Sequence, residues 1–143
     1  MISCVLLSAG ESSRFGSPKA LAQFKGETVI EHLQREIIST KAIGELIIVL
    51  GSASDAIEPF ILNHKKVRVV YNKDYKLGQT SSFKVGLRSV SPQSLGVMLI
   101  PVDYPLVKSQ TLGFIAKNFQ QKKSLIIIPV YDVQKGHPPV FHT

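Results

Sequence analysis

Two cationic side chains lie near the start of the chain in a loop of small residues. Arg14 and Lys19 stand on either side of Gly16 and follow Gly10, directly after the apolar residues 2–7. Glycine lets the backbone approach a ligand closely, and guanidinium and ammonium groups neutralise phosphate charge. This combination predicts a loop that binds the phosphates of a nucleotide.

The spacing within this loop excludes two common nucleotide-binding motifs. Five residues separate Gly10 from Gly16, whereas the Walker A motif has a shorter spacing and places its lysine directly after a glycine. The loop does not match the dinucleotide fingerprint G-x-G-x-x-G either, because Glu11 and Ser12 follow Gly10 and the second glycine is missing. The loop must therefore belong to another class of nucleotide site.

A carboxylate provides the second candidate for chemistry. Asp103 lies between Pro101 and Pro105, just after the apolar residues 95–100. In nucleotidyl transfer such a carboxylate commonly holds Mg²⁺ together with phosphate oxygens. We expect a magnesium site at Asp103, and a simple turn-capping role is the alternative.

A polar segment over residues 71–87 is the third candidate. Asn72 can hydrogen-bond the edge of a base, and Gly78 permits close approach of the backbone. Ser81 and Ser82 offer hydroxyls and amides at the start of a predicted helix, where anions bind well. The alternative is that these serines only cap the helix.

Strand-like and helix-like patterns alternate along the chain that positions these residues. Strands are predicted over residues 2–7, 45–50, 67–71, 95–100 and 125–130, and helices over residues 28–40, 54–62, 81–90 and 111–121. Thr28 and Glu31 form a capping box at the start of the first helix. Residues 45–50 and 125–130 contain runs that are apolar on both faces, which is typical of a parallel sheet covered by helices.

These patterns predict a single α/β domain over residues 1–143. We expect a three-layer, Rossmann-like α/β/α fold with an open, mostly parallel sheet. In such folds ligands bind beyond the carboxyl ends of the strands. One cleft should therefore receive the loops at residues 8–19, 51–52, 72–82 and 102–105.

Composition narrows the classes of function. The chain is 44% hydrophobic and 19% charged, and no run approaches the roughly 20 apolar residues of a membrane span, so we expect a cytoplasmic protein. The net charge of +7 is not clustered with aromatic residues, which argues against nucleic-acid binding and favours attraction of anionic substrates. The single cysteine, Cys4, is expected to be a core residue.

The first loop resembles a known family signature. Residues 7–19 match every named position of L-x-A-G-x-S-x-R-x-G-x-P-K, the signature of the molybdenum cofactor nucleotidyltransferase (MobA/MocA-like) family. Residues 71–87, 102–105 and 129–141 are also similar to family segments, although Val102 stands where the family usually has glycine. The resemblance implies a fold of the nucleotide-diphospho-sugar transferase type.

The resemblance also implies roles for individual residues. It implies Arg14, Lys19 and Asp103 as catalytic residues, with Asp103 as the Mg²⁺ ligand. The residues implied to bind the nucleotide or acceptor are Ser8, Ala9, Gly10, Arg14, Lys19, Asn72, Gly78, Ser81, Ser82 and His137.

The activity implied is transfer of a nucleoside monophosphate from a nucleoside triphosphate to a phosphate-bearing acceptor of the molybdopterin type. The G-H-P and S-S-x-x-x-G-L segments look closer to the cytidylyltransferase branch, so we expect CTP rather than GTP as the donor. Two alternatives stay open. One is a sugar-phosphate nucleotidyltransferase, and the other is a non-catalytic nucleotide- or cofactor-binding protein that serves a molybdenum-dependent oxidoreductase.

Family members continue past the position of Thr143, through further helices to an acidic D-x-D-T-P-type segment. We therefore expect this chain to lack the family's C-terminal part. Two explanations stay open: either the sequence is one part of a longer protein, or the protein is a natural short form without the metal ligand of that segment. In the short form, binding would survive while turnover is impaired.

Overall fold

The computed structural model describes residues 1–11 and 16–143. The strands are β1 (Ile2–Ser8), β2 (Gln23–Phe24), β3 (Glu27–Thr28), β4 (Ile43–Leu50), β5 (Val67–Tyr71), β6 (Gly96–Pro101), β7 (Ile126–Ile127), β8 (Val130–Tyr131), β9 (Gln134–Lys135) and β10 (Val140–His142). The α-helices are α1 (Val29–Ser39), α2 (Ser54–Ile57), α3 (Gln79–Leu87) and α4 (Ser109–Lys122), with 3-10 turns at Lys19–Leu21, Glu58–Phe60 and Tyr75–Leu77.

A six-stranded sheet in the order β5-β4-β1-β6-β10-β7 forms the centre of the fold. The strands β5, β4, β1 and β6 are parallel, whereas β10 runs antiparallel to both β6 and β7. The strand pairs β2-β3 and β8-β9 form separate hairpins. The prediction of an open, mostly parallel sheet is confirmed.

Helices cover both faces of the sheet. On β1, Cys4 and Leu6 belong to a buried cluster that contains residues of α1 and α4, whereas Val5 and Leu7 belong to a second cluster that contacts Phe83 of α3. Successive side chains of a strand point to opposite faces, so β1 contributes to both layers. The predicted three-layer arrangement is confirmed.

Local sequence signals explain how α1 begins. The Thr28 hydroxyl accepts a hydrogen bond from the Glu31 backbone N–H at 3.3 Å, and the Glu31 carboxylate accepts one from the Thr28 backbone N–H at 3.2 Å. This is the predicted capping box, and it fixes the start of the helix that covers the first face of the sheet.

Cys4 is fully buried on β1, as expected for a core residue. Burial raises the pKa of its thiol, because the charged thiolate cannot be solvated there. The thiol therefore stays protonated at neutral pH and is a poor nucleophile.

The predicted helix over residues 54–62 is wrong in length. Helix α2 ends at Ile57 and continues as the 3-10 turn Glu58–Phe60. The cause is Pro59, because proline lacks the N–H donor that would continue the helical hydrogen bonds.

The predicted buried strand over residues 125–130 is also wrong. Only Ile126–Ile127 joins the main sheet, as an edge strand, and Ile126 is 51% exposed. Strand β10 was not predicted, because it is short and follows two prolines that mask its strand pattern.

The helices described here are all too short or too polar to cross a membrane.

Candidate functional site

A cavity of about 270 Å³ lies at the carboxyl ends of β1 and β6. Its wall combines residues that follow β1, the start of α3 and residues that follow β6. Among the residues predicted for the site, the cavity is lined by Ser8, Ala9, Gly10, Lys19, Gly78, Ser82 and Asp103. Residues 8–11 and 18–19 of the first loop therefore meet residues of the loops at 72–82 and 102–105, as the parallel sheet predicts.

The loop after β4 supports the loop after β1. The Ser52 backbone N–H donates a hydrogen bond to the Ala9 carbonyl at 3.3 Å. A Cβ atom at Gly51 would lie 2.5 Å from that same carbonyl oxygen and 2.8 Å from the Cβ of Tyr75, so only glycine fits at this position. Residues 51–52 thus position the cavity wall without lining it.

Arg14, which was predicted to contact the phosphates, lies outside the described residues. Its role stays a prediction from the sequence.

Lys19 and Asp103 face one another across the cavity. The Lys19 Nζ lies 3.8 Å from the Asp103 Oδ2, and the two side chains are 43% and 44% exposed. An ion pair this exposed contributes little to stability, so both groups can exchange partners when a charged ligand enters. Val102 beside them packs against the core, and its N–H donates to the Leu7 carbonyl at 3.0 Å, so the family's usual glycine is not needed for folding here.

The chemistry of Asp103 fits a hard divalent cation. No group of three or more His, Cys, Asp or Glu side chains gathers within residues 1–11 and 16–143. A metal here would take a carboxylate oxygen from Asp103 and most of its other oxygens from phosphates and water, and Glu11 is a second carboxylate in the lining of the same cavity. This is the usual environment of protein-bound Mg²⁺.

Asn72 holds the loop beneath the cavity. It is 3% exposed, and its Nδ2 donates hydrogen bonds to the hydroxyls of Ser81 and Ser82 at 3.1 and 3.0 Å. Its Oδ1 accepts a hydrogen bond from the Asp74 backbone N–H at 3.0 Å. Asn72 and Ser81 are not among the cavity-lining residues. The geometry thus shows Asn72 holding the loop and the start of α3, and its contact with a base edge stays a prediction.

The start of α3 is open to the cavity. Gly78 precedes it with φ of 98°, a conformation that favours glycine, and within the described chain no side chain caps the helix. The first amides of a helix lack partners inside the helix and attract anions. Gly78 and the missed residue Gln79 both line the cavity, so these amides border the space where phosphates would bind.

Sequence reasoning missed several other lining residues. Tyr75, Lys76 and Gln79 all contribute to the wall. They lie within residues 72–82, the loop that was expected at the cleft. Their position in this loop could therefore have marked them as candidate lining residues. Which of them faces the ligand depends on the 3-10 turn Tyr75–Leu77, and nothing in the sequence predicted that turn.

A second cavity, of about 350 Å³, shares Asp103 with the first. Its lining includes Tyr104, His137 and Pro138. The rings of Tyr104 and His137 lie 4.4 Å apart between centroids, with an angle of 43° between their planes. His137, which was predicted to face the acceptor, thus lines the second cavity and not the first.

The antiparallel strand β10 explains why His137 is there. The Leu99 backbone N–H donates a hydrogen bond to the Pro139 carbonyl at 3.0 Å, which fixes the start of β10 beside the end of β6. Because the two strands run in opposite directions, the residues before β10 lie next to those after β6.

Residues 4–143 match the family model described as the MobA-like NTP transferase domain. The chain belongs to this family.

Curated relatives agree with this assignment. The chain is 41% identical over 58 residues to a probable molybdenum cofactor guanylyltransferase of Bacillus cereus (strain G9842), which covers 40% of the chain and 28% of that relative. It is 23% identical over 137 residues to the molybdenum cofactor cytidylyltransferase of Escherichia coli (strain K12), which covers 96% of the chain and 68% of that relative. The chain thus spans only part of the length of the relatives it matches.

Solved structures share the fold of this chain. The crystal structure of Rv0371c from Mycobacterium tuberculosis H37Rv is similar with a TM-score of 0.86 and 28% identity, over 99% of this chain and 70% of that one. A complex of Rv0371c with manganese is similar with a TM-score of 0.79.

Proposed function

We propose that this domain transfers a nucleoside monophosphate from a nucleoside triphosphate to the phosphate of a molybdopterin-type acceptor and releases pyrophosphate. The observation that carries the proposal is the position of Asp103, opposite Lys19, in the wall between two cavities. A carboxylate that borders two spaces can serve a reaction between two phosphate-bearing molecules. Membership of the MobA-like family supports this reaction class.

The first cavity suits the donor. Lys19 and the start of α3, at Gly78 and Gln79, line it beside residues 8–10, and the lysine ammonium and the first amides of the helix favour bound anions. Such groups stabilise charge that develops on transferring phosphates. Arg14 would add a guanidinium to the same loop.

In the proposed reaction an oxygen of the acceptor phosphate attacks the α-phosphorus of the donor. A new P–O bond forms, the bond to the β-phosphate oxygen breaks, and pyrophosphate leaves with the electron pair. The acceptor oxygen is already ionised at neutral pH, so no general base is assigned to His137. When bound, Mg²⁺ on Asp103 would neutralise phosphate charge, and the manganese complex of Rv0371c supports a divalent metal in this fold.

We propose CTP as the donor. The G-H-P and S-S-x-x-x-G-L segments favour this choice, and the Escherichia coli relative that covers 96% of the chain is a cytidylyltransferase. The Bacillus cereus relative, matched over a shorter segment, is a probable guanylyltransferase, so CTP and GTP must be compared directly.

The test is acceptor-dependent release of pyrophosphate with CTP or GTP, Mg²⁺ and molybdopterin. We expect Asp103→Asn to lower the rate at least about a hundredfold, because removing one electrostatic contact to the reacting phosphates has effects of this size in other enzymes. Asp132→Asn is the matched control, because Asp132 is exposed in the β8-β9 turn, and its rate should equal that of the unchanged protein.

Three results would contradict the proposal. An unchanged rate in Asp103→Asn would remove Asp103 from the chemistry. Saturable nucleotide binding without pyrophosphate release would favour a non-catalytic binding protein, and faster release with sugar phosphates would favour a different acceptor.

A further inference from the structure

We propose that Tyr104 and His137 form the binding wall for a flat nitrogen heterocycle in the acceptor, and that Tyr104 is a specificity-determining residue. This inference rests on the proposed transfer reaction, and it assigns the second cavity to the acceptor. We call the pair Tyr104 and His137 the ring wall.

The location of the ring wall supports this assignment. The two cavities meet at Asp103, and neither Tyr104 nor His137 lines the first one. A molecule whose ring contacts the ring wall can therefore place a phosphate near Asp103 without entering the donor cavity. That arrangement brings two substrates to one carboxylate from different sides.

The chemistry of the second cavity favours a planar ring over a polyol. Ile100, Leu106, Val107 and Pro138 give it apolar surface, against which the hydroxyls of a sugar would lack hydrogen-bond partners. Tyr104 is 44% exposed, and its ring lies beside that of His137 with a tilt of 43°, so the two residues add aromatic surface to the cavity that both of them line. The hydroxyl of Tyr104 and the ring nitrogens of His137 can hydrogen-bond the polar edge of a heterocycle.

The test compares two phosphate probes by equilibrium binding in the presence of Mg²⁺ and a non-hydrolysable CTP analogue. Neopterin monophosphate carries a fluorescent fused heterocycle, and ribose 5-phosphate carries the phosphate on a sugar. We expect the unchanged protein to bind neopterin monophosphate more tightly, with quenching of its fluorescence by ring contact.

Variants at one position separate the ring from the hydroxyl. We expect Tyr104→Leu to weaken binding of neopterin monophosphate by about tenfold, a typical loss when one stacked aromatic side chain is removed. Tyr104→Phe should stay within about threefold, because it keeps the ring and loses only one hydrogen bond. Tyr131→Leu is the control, because Tyr131 is exposed in the β8-β9 hairpin and absent from both cavities.

The outcomes separate this inference from the proposed function. Three outcomes would contradict the role of the ring wall, even if CTP still binds and pyrophosphate is still released. They are equal affinity for the two probes, no saturable binding of neopterin monophosphate, and no effect of Tyr104→Leu on that binding. If the unchanged protein does not bind CTP at all, that result would instead contradict the proposed function. The inference is supported if Tyr104→Leu binds neopterin monophosphate more weakly than the unchanged protein does, while its affinities for ribose 5-phosphate and CTP stay the same.

Discussion

At the scale of single residues, Asn72 connects the strand β5 to the wall of the donor cavity. One buried amide group makes three hydrogen bonds to the loop and to the start of α3. Its own backbone N–H donates to the Leu50 carbonyl at 2.8 Å, which ties the loop to the end of β4. The cavity wall therefore depends on a side chain that does not line it.

We expect Asn72→Ala to lower the free energy of unfolding by about 2 kcal/mol, because three hydrogen bonds of a buried amide are lost and the buried Ser82 hydroxyl loses this partner. Affinity for CTP should fall as well, since Ser82 lines the cavity. Denaturant titration and equilibrium binding measure the two effects. Asn118→Ala is the control, because Asn118 makes one hydrogen bond to the Phe114 carbonyl on α4. A similar loss of unfolding free energy and of CTP affinity in both variants would argue against a special role of Asn72.

The sequence could predict seven of the seventeen described residues that line the donor cavity. Small and charged residues that directly follow strands reach the carboxyl edge of a parallel sheet, and this rule located Ser8, Gly10 and Asp103. It could not predict that Tyr104 and His137 meet. Their contact depends on the pairing of β10 with β6, which joins parts of the chain that are distant in sequence.

At the scale of secondary-structure elements, the distance between α3 and the sheet decides the width of the donor cavity. Gly86 lies on the buried side of α3, and a Cβ atom there would come within 2.5 Å of the Val5 Cγ1 and 3.2 Å of the Val49 Cγ2. Both valines are fully buried and cannot move aside easily. The start of the same helix carries the amides that border the cavity.

We expect Gly86→Ala to destabilise the fold by about 1–3 kcal/mol through overpacking, and to weaken CTP binding by displacing α3. Gly113→Ala on α4 is the matched control, because nothing lies within 4 Å of its added Cβ, and alanine should stabilise that helix by up to about 1 kcal/mol. Thermal or denaturant unfolding of the two variants is the measurement. If Gly86→Ala raised the free energy of unfolding as Gly113→Ala is expected to do, α3 would not need its close approach to the sheet.

At this scale the sequence predicted which elements exist better than where they end. The capping box gave the start of α1 because it is a local signal. The edge position of Ile126–Ile127 could not be predicted in the same way. A short apolar run has the same sequence pattern in an edge strand, which pairs with one neighbour, as in a central strand, which pairs with two. Burial of such a run is decided by the complete sheet order.

At the scale of the whole molecule, the positive charge of the chain acts on any anionic substrate before contact. The formal net charge is +7, and a nucleoside triphosphate carries several negative charges. Long-range attraction of this kind raises the rate of encounter and is weakened by dissolved salt.

We expect the affinity for CTP to fall roughly tenfold between low and high salt, mainly through a slower association rate. Cytidine, which lacks phosphates, should bind with little dependence on salt. Stopped-flow association at several salt concentrations measures the effect. A salt dependence as weak for CTP as for cytidine would show that the net charge plays no part in capturing the donor.

The strand β10 attaches β7 to the sheet and holds His137 beside Tyr104. Only three residues form this strand, whereas β1 and β4 at the donor cavity are seven and eight residues long. The two halves of the proposed site thus belong to regions that should open with different free energies, and hydrogen exchange would be faster around β10. Fraying of β10 would move His137 away while the loop after β1 stayed in place, so the protein could retain a bound nucleotide during exchange of the second substrate.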